Sequence, residues 1–98
     1  MAKNPRKSIP SDKAFKHLII EITRVRPLGG YRLELTFNDG AVKVVDFWPL
    51  LEDRKGLFET LKDRSFFSKV YVDQEAGTIT WPNGLDWAPD VLYQVENV

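Results

Sequence analysis

Tyr31-Arg32-Leu33-Glu34-Leu35-Thr36-Phe37-Asn38-Asp39-Gly40-Ala41-Val42-Lys43-Val44-Val45-Asp46 is the stretch on which the fold turns. Tyr31, Leu33, Leu35 and Phe37 alternate with Arg32, Glu34 and Thr36, the period of a strand with one apolar face. Asp39-Gly40 between two β-rich runs predicts a hairpin, because a type I′ turn needs positive φ at both central residues. A two-residue loop sets Asn38 opposite Ala41, Phe37 opposite Val42 and Leu35 opposite Val44, with Thr36 facing Lys43 on the other side. The apolar pairs then fall on one face, so turn chemistry and hydrophobic pattern predict the same register.

Upstream, Leu18, Ile20 and Ile22 alternate with Ile19, Glu21 and Thr23, which predicts a strand that Arg24-Val25-Arg26 continues until Pro27 stops the ladder. Pro27-Leu28-Gly29-Gly30 reads as the turn that follows. Downstream, Pro49 suits the first turn of a short helix carrying Leu50 and Leu51, and Gly56 interrupts it. Leu57, Phe58 and Leu61 have helical spacing, and Asp63 can cap a further turn holding Phe66 and Phe67. Val70-Tyr71-Val72 and Thr78-Ile79-Thr80-Trp81 predict a second hairpin with Gly77 at a left-handed position. Pro82-Asn83-Gly84 is a turn, and Pro89 starts a C-terminal helix through roughly Val95. The fold class expected is α+β, with about five strands in small antiparallel hairpins, short covering helices and a C-terminal helix.

Ninety-eight residues make at most one core, which sets aside most multi-domain enzymes. Cysteine is absent, excluding disulfides, thiolate metal sites and cysteine nucleophiles, and a single histidine, His17, excludes a multi-histidine site within the chain. No run approaches the roughly 20 apolar residues that span a bilayer, so no membrane association and a cytoplasmic location are expected. The formal charge of zero hides a split. Residues 1–17 carry Lys3, Arg6, Lys7, Lys13 and Lys16 against Asp12, whereas the remainder has nine basic and thirteen acidic side chains. Residues 1–17 are read as a flexible basic tail and 18–98 as a single α+β domain.

Candidate chemistry gathers in the segment Trp81 to Tyr93. Asn83, Asp86 and Asp90 offer an amide and two carboxylates for a cation or polar ligand, or Asp86 as a base beside aromatic walls. The same residues also make an ordinary turn and helix start, and a hard cation wants more oxygens than they supply. Asp46 ends a strand and either approaches that segment or caps the helix at Pro49. Trp87 is a candidate exposed anchor for a partner, with Trp81 and Tyr93 beside it and the edges of Tyr31 or Tyr71 adding surface. Ser65, Ser68 and His17 lack the surroundings of a nucleophile and base, and Gly29-Gly30 lacks the helix and lysine of a phosphate loop. No catalytic set, cofactor or metal is expected.

The segment Trp81-Pro82-Asn83-Gly84-Leu85-Asp86-Trp87-Ala88-Pro89-Asp90-Val91-Leu92-Tyr93 resembles the bacterial family catalogued as domain of unknown function 2442. Tyr31 to Phe37 with Asp39-Gly40, Val44-Val45-Asp46 with Pro49-Leu50-Leu51, and Gly56-Leu57-Phe58 through Val72-Asp73 fit the same pattern, over about residues 18–95. The resemblance implies an α+β domain. Some members carry a helix-turn-helix domain after this module, and many stand beside a gene for another small protein, an arrangement resembling toxin–antitoxin pairs.

These observations point to a non-enzymatic protein-interaction module, antitoxin-like or regulatory, whose partner is another small protein. A weak homodimer is also expected from an exposed strand edge on a neutral chain. The alternatives are a nucleic-acid accessory gripping phosphates through Lys3, Arg6, Lys7, Lys13 and Lys16, or a small-ligand-binding domain centred on Asp86.

Overall fold

Strands β1 (Ile22–Gly29), β2 (Arg32–Phe37) and β3 (Val42–Asp46) form an antiparallel sheet in that order, but the central hairpin closes one residue away from the expected register. The computed structural model describes residues 19–98, so the basic segment 1–17 with its five cationic candidates, and Leu18, lie outside the described residues. The loop has three residues, not two. Phe37 N–H bonds Ala41 O at 2.8 Å, Gly40 N–H bonds Phe37 O at 2.9 Å, and Asp39 Oδ1 accepts Ala41 N–H at 2.9 Å. Gly40, at φ 91°, takes the positive-φ position. Leu33 therefore faces Val45, Leu35 faces Lys43, and Thr36 faces Val42.

A one-residue slip moves a strand's whole side-chain set to the other face. Val45 is fully buried and Val42 is 53% exposed, the reverse of the expected parity. The reason lies beyond the hairpin, in Phe47, which shares the parity of Val45 and is also fully buried. Burying both outweighs burying Val42 and Val44 beside Leu35 and Phe37. Lys43 then occupies the core-side row, and its amine reaches past the core to donate to Tyr93 O and lie 5.5 Å from that ring.

β1 starts at Ile22, four residues later than expected from Leu18. Asn38 explains the late start. Its Oδ1 accepts Glu21 N–H at 3.1 Å, its Nδ2 donates to Ile19 O at 3.0 Å, and its own N–H bonds Glu21 O at 2.9 Å. These bonds hold the incoming chain without a ladder. Nor does Pro27 stop the strand, which runs on to Gly29 with Pro27 opposite Leu33. β1 is an edge strand, where a missing N–H costs no sheet bond. The reversal runs through Gly30 and Tyr31, between the paired Gly29 and Arg32, with Gly29 at φ 106° and Gly30 at φ 58°.

Helices α1 (Trp48–Leu51), α2 (Phe58–Leu61) and α3 (Arg64–Phe67) follow, each a single turn, the last capped by Asp63 accepting Ser65 N–H as expected. β4 (Tyr71–Asp73) and β5 (Thr78–Thr80) make the second hairpin, and α4 (Pro89–Gln94) closes the described chain. The α+β class with five antiparallel strands in two sheets and four short helices is thus what the described residues form. One core joins them: Ile22, Leu33, Leu35, Phe37, Val45, Phe47, Leu51, Leu61, Phe67, Ile79, Trp81 and Leu92 are all essentially inaccessible.

Candidate docking cleft

The Trp81–Tyr93 segment turns inward. Trp81 is fully buried and donates its Nε1–H to Phe67 O at 2.9 Å, so its indole is both packed and satisfied. Trp87, expected as an exposed anchor, is only 8% exposed. It stands edge-on to Phe47 at 5.2 Å and to Phe58 at 5.5 Å, with Arg54 over the Phe58 ring at 4.8 Å covering the pair. A domain this small completes its core with its largest side chains, which leaves neither tryptophan for a partner. The hydroxyls of Thr78 and Thr80 donate to Trp87 O and Leu85 O, tying the loop to β5.

The polar candidates do not converge. Asn83 Oδ1 accepts Leu85 N–H at 3.1 Å, as an ordinary turn residue does. Asp46 Oδ1 accepts Trp48 N–H at 3.0 Å beside the start of α1, whose N-cap is Phe47 and has no side-chain cap. Asp86 and Asp90 are exposed, and neither carboxylate has a hydrogen bond or ion pair among the described residues. Tyr93 lies on α4, where its hydroxyl donates to Asp39 Oδ2 in the hairpin loop. That hydrogen bond first, and the negative charge of Asp39 second, push the phenol above the usual tyrosine range. Among the described residues no three histidine, aspartate or glutamate side chains come close enough to hold a metal.

A different place is open. A cleft of about 540 Å³ lies between β1 and β4, lined by Arg24, Val25, Arg26, Glu34, Thr36, Val70, Tyr71 and Val72. The backbone groups facing it follow from the registers. Phe37 gives its N–H to Ala41, so odd-numbered residues of β2 turn their backbone groups to β3 and even-numbered ones to β1. Arg24 and Arg26, opposite Thr36 and Glu34, therefore take the ladder bonds. Val25, between them, turns its N–H and C=O to the open side.

The same reasoning applies to the second hairpin. Trp81 N–H bonds Leu85 O on the side away from β4, so Ile79 turns that way too. Val72, opposite Ile79, then turns its N–H and C=O away from β5. The two sheets touch at one end, where Ile22 N–H bonds Gly77 O at 2.9 Å. Beyond that bond, no backbone hydrogen bond joins β1 to β4 among the described residues.

Charge in the cleft is uneven. Arg26 grips Glu34 through two bonds, Nε to Oε1 at 3.1 Å and Nη2 to Oε2 at 3.2 Å, across the β1–β2 pair. Those bonds, with the carboxylate's charge behind them, hold the guanidinium above its usual range. Arg24 has no acidic partner among the described residues. Tyr71 on the opposite wall is 50% exposed. Arg24, Val25, Arg26 and Val72 were not legible as a site, because a local pattern does not reveal which edge of a strand the fold leaves unpaired. The basic, apolar, basic triplet at 24–26 is the one signal that points there. The exposed tryptophan is Trp48, at 38%, its ring 5.0 Å from that of Tyr31 and tilted 36° to it.

No helix among the described residues is long and apolar enough to cross a membrane. Neither a curated protein nor a solved structure matches the chain. A family model does, over residues 22–96, which takes in both sheets and all four helices. The chain therefore belongs to the family described as protein of unknown function, DUF2442.

Proposed function

We propose that the chain is a non-enzymatic protein-interaction module, the regulatory or antitoxin-like half of a two-protein system, and that its partner enters at the β1–β4 cleft. The observation that carries this reading is the pair of outward-facing backbone positions, Val25 and Val72, on two strand edges that share one cleft. Buried sheet edges are normally paired or covered, and an open edge beside apolar side chains is the setting in which a partner adds a strand. Val25, Val70 and Val72 supply the apolar floor, and Tyr71 supplies an amphipathic wall.

Co-expression with the product of the adjacent gene, which the family's gene arrangement nominates, tests the reading. The two proteins should elute together on size exclusion, and Val25→Pro should abolish the complex. Proline there removes the outward N–H while the ladder bonds of Arg24 and Arg26 remain, so the fold survives and only the edge is lost. A complex unaffected by Val25→Pro would overturn the assignment to this cleft.

A further inference from the structure

We infer that the segment docked at the β1 edge is an extended peptide carrying an acidic–apolar–acidic triplet, with its apolar residue opposite Val25 and its carboxylates beside Arg24 and Arg26. The inference rests on the docking reading above and adds the chemistry of the occupant. A strand added to β1 pairs with Val25, whose N–H and C=O face outward, and places the flanking residues of the added strand opposite Arg24 and Arg26. Alternation then fixes their faces. The central side chain lies on the side of Val25, which packs partly buried against the core, and the flanking ones lie on the outer face with both arginines.

The electrostatics select acids for those flanking positions. Glu34 is the one carboxylate lining the cleft and is already held by Arg26, so the cleft has an excess of positive charge at Arg24. Asp73, at the far end of β4, accepts Glu75 N–H at 3.0 Å and closes its own loop. A second copy of this chain is a poor occupant. Two β1 edges paired antiparallel about Val25 would bring Arg24 of one against Arg26 of the other on the same face, and like charges directly opposite destabilise a pair. Pro27 offers no N–H on the open side, so the added ladder is confined to the few residues around Val25. The residues 1–17 of this chain carry five cations against one acid and bear the wrong charge for the site.

The test uses the full chain and three synthetic peptides of about eight residues, the length of a short strand. One alternates glutamate with valine, the second alternates lysine with valine, and the third has the glutamate composition in scrambled order. Binding is followed by fluorescence anisotropy, and its location by hydrogen exchange at the Val25 amide. The alternating glutamate peptide should bind and protect Val25. Its affinity should fall about tenfold in Arg24→Glu, and should weaken between about 0.05 and about 0.5 M salt.

Equal protection by the lysine peptide would overturn the acidic occupant while leaving the edge as a docking site. Protection of Val25 by no peptide would overturn both. Protection of Val25 in the free protein that grows with concentration would assign the edge to a second copy and overturn the inference. An oligothymidylate that displaces the bound peptide and binds more tightly would assign the site to nucleic acid and do the same.

Discussion

At the residue scale, Gly77 shows how one position can be required twice. Its φ of 69° is a left-handed conformation that L side chains rarely adopt, and a Cβ there would stand 2.9 Å from Cγ of Glu21. Gly40, at φ 91°, has open space around its missing Cβ, so Gly40→Ala reports backbone strain alone. Gly40→Ala should cost about 1–2 kcal/mol in urea unfolding, and Gly77→Ala measurably more. In a Glu21→Ala background the excess should vanish; if it persists, the Glu21 contact is not its source. Trp81 tests the indole bond in the same way. Trp81→Phe leaves Phe67 O with only the longer bond from Val70 N–H at 3.4 Å and opens space among Phe47, Phe67 and Trp87, for a loss of about 2–4 kcal/mol. A loss below about 1 kcal/mol would mean that the bond and the packing are both replaceable.

At the element scale, the central hairpin was legible in kind and misread by one residue. Asp39-Gly40 is a sound turn signal, and Gly40 does hold the positive φ, but the loop also takes in Asn38. The run from Val42 to Val45 offers an apolar residue at either parity, so the strand alone does not choose. Phe47 chooses, and its burial depends on contacts with Phe67, Trp81 and Trp87 that come much later in the chain. The late start of β1 has the same origin, since no periodicity reveals that Asn38 will satisfy Glu21 and Ile19. The Gly77 hairpin, the Asp63 cap and the Pro89 helix start were legible because each is settled by neighbours in sequence. Asn38→Ala should cost about 1 kcal/mol and, in hydrogen exchange, selectively expose the Glu21 amide while the Ile22 amide, bonded to Gly77, stays protected. Uniform loss of protection across β1 would show that Asn38 supports the whole sheet rather than its entry.

At the scale of the whole molecule, the described chain is tied end to hairpin through Tyr93. Its ring meets Phe37 edge-on at 5.0 Å, its carbonyl accepts the Lys43 amine, and its hydroxyl bonds Asp39, so α4 is fastened to the β2–β3 hairpin by three different interactions. The hydroxyl bond titrates in the alkaline range. Asp39 raises the Tyr93 pKa in the folded state, so the folded protein holds this proton more tightly than the unfolded chain does. Stability from this contact is therefore fully present below the ordinary tyrosine range, near about 10, and is lost as pH rises through the raised folded value. Tyr93→Phe keeps the ring contact and removes the titrating group. The stability difference between the native chain and Tyr93→Phe should be constant from neutral pH to about pH 9 and shrink above about pH 10. The bond from the Lys43 amine to the Tyr93 carbonyl is present in both proteins and cancels in the comparison. A difference that stays flat through pH 11, or one that grows, would show that Asp39 and Tyr93 are not coupled and that α4 is held to the hairpin by its ring and backbone alone.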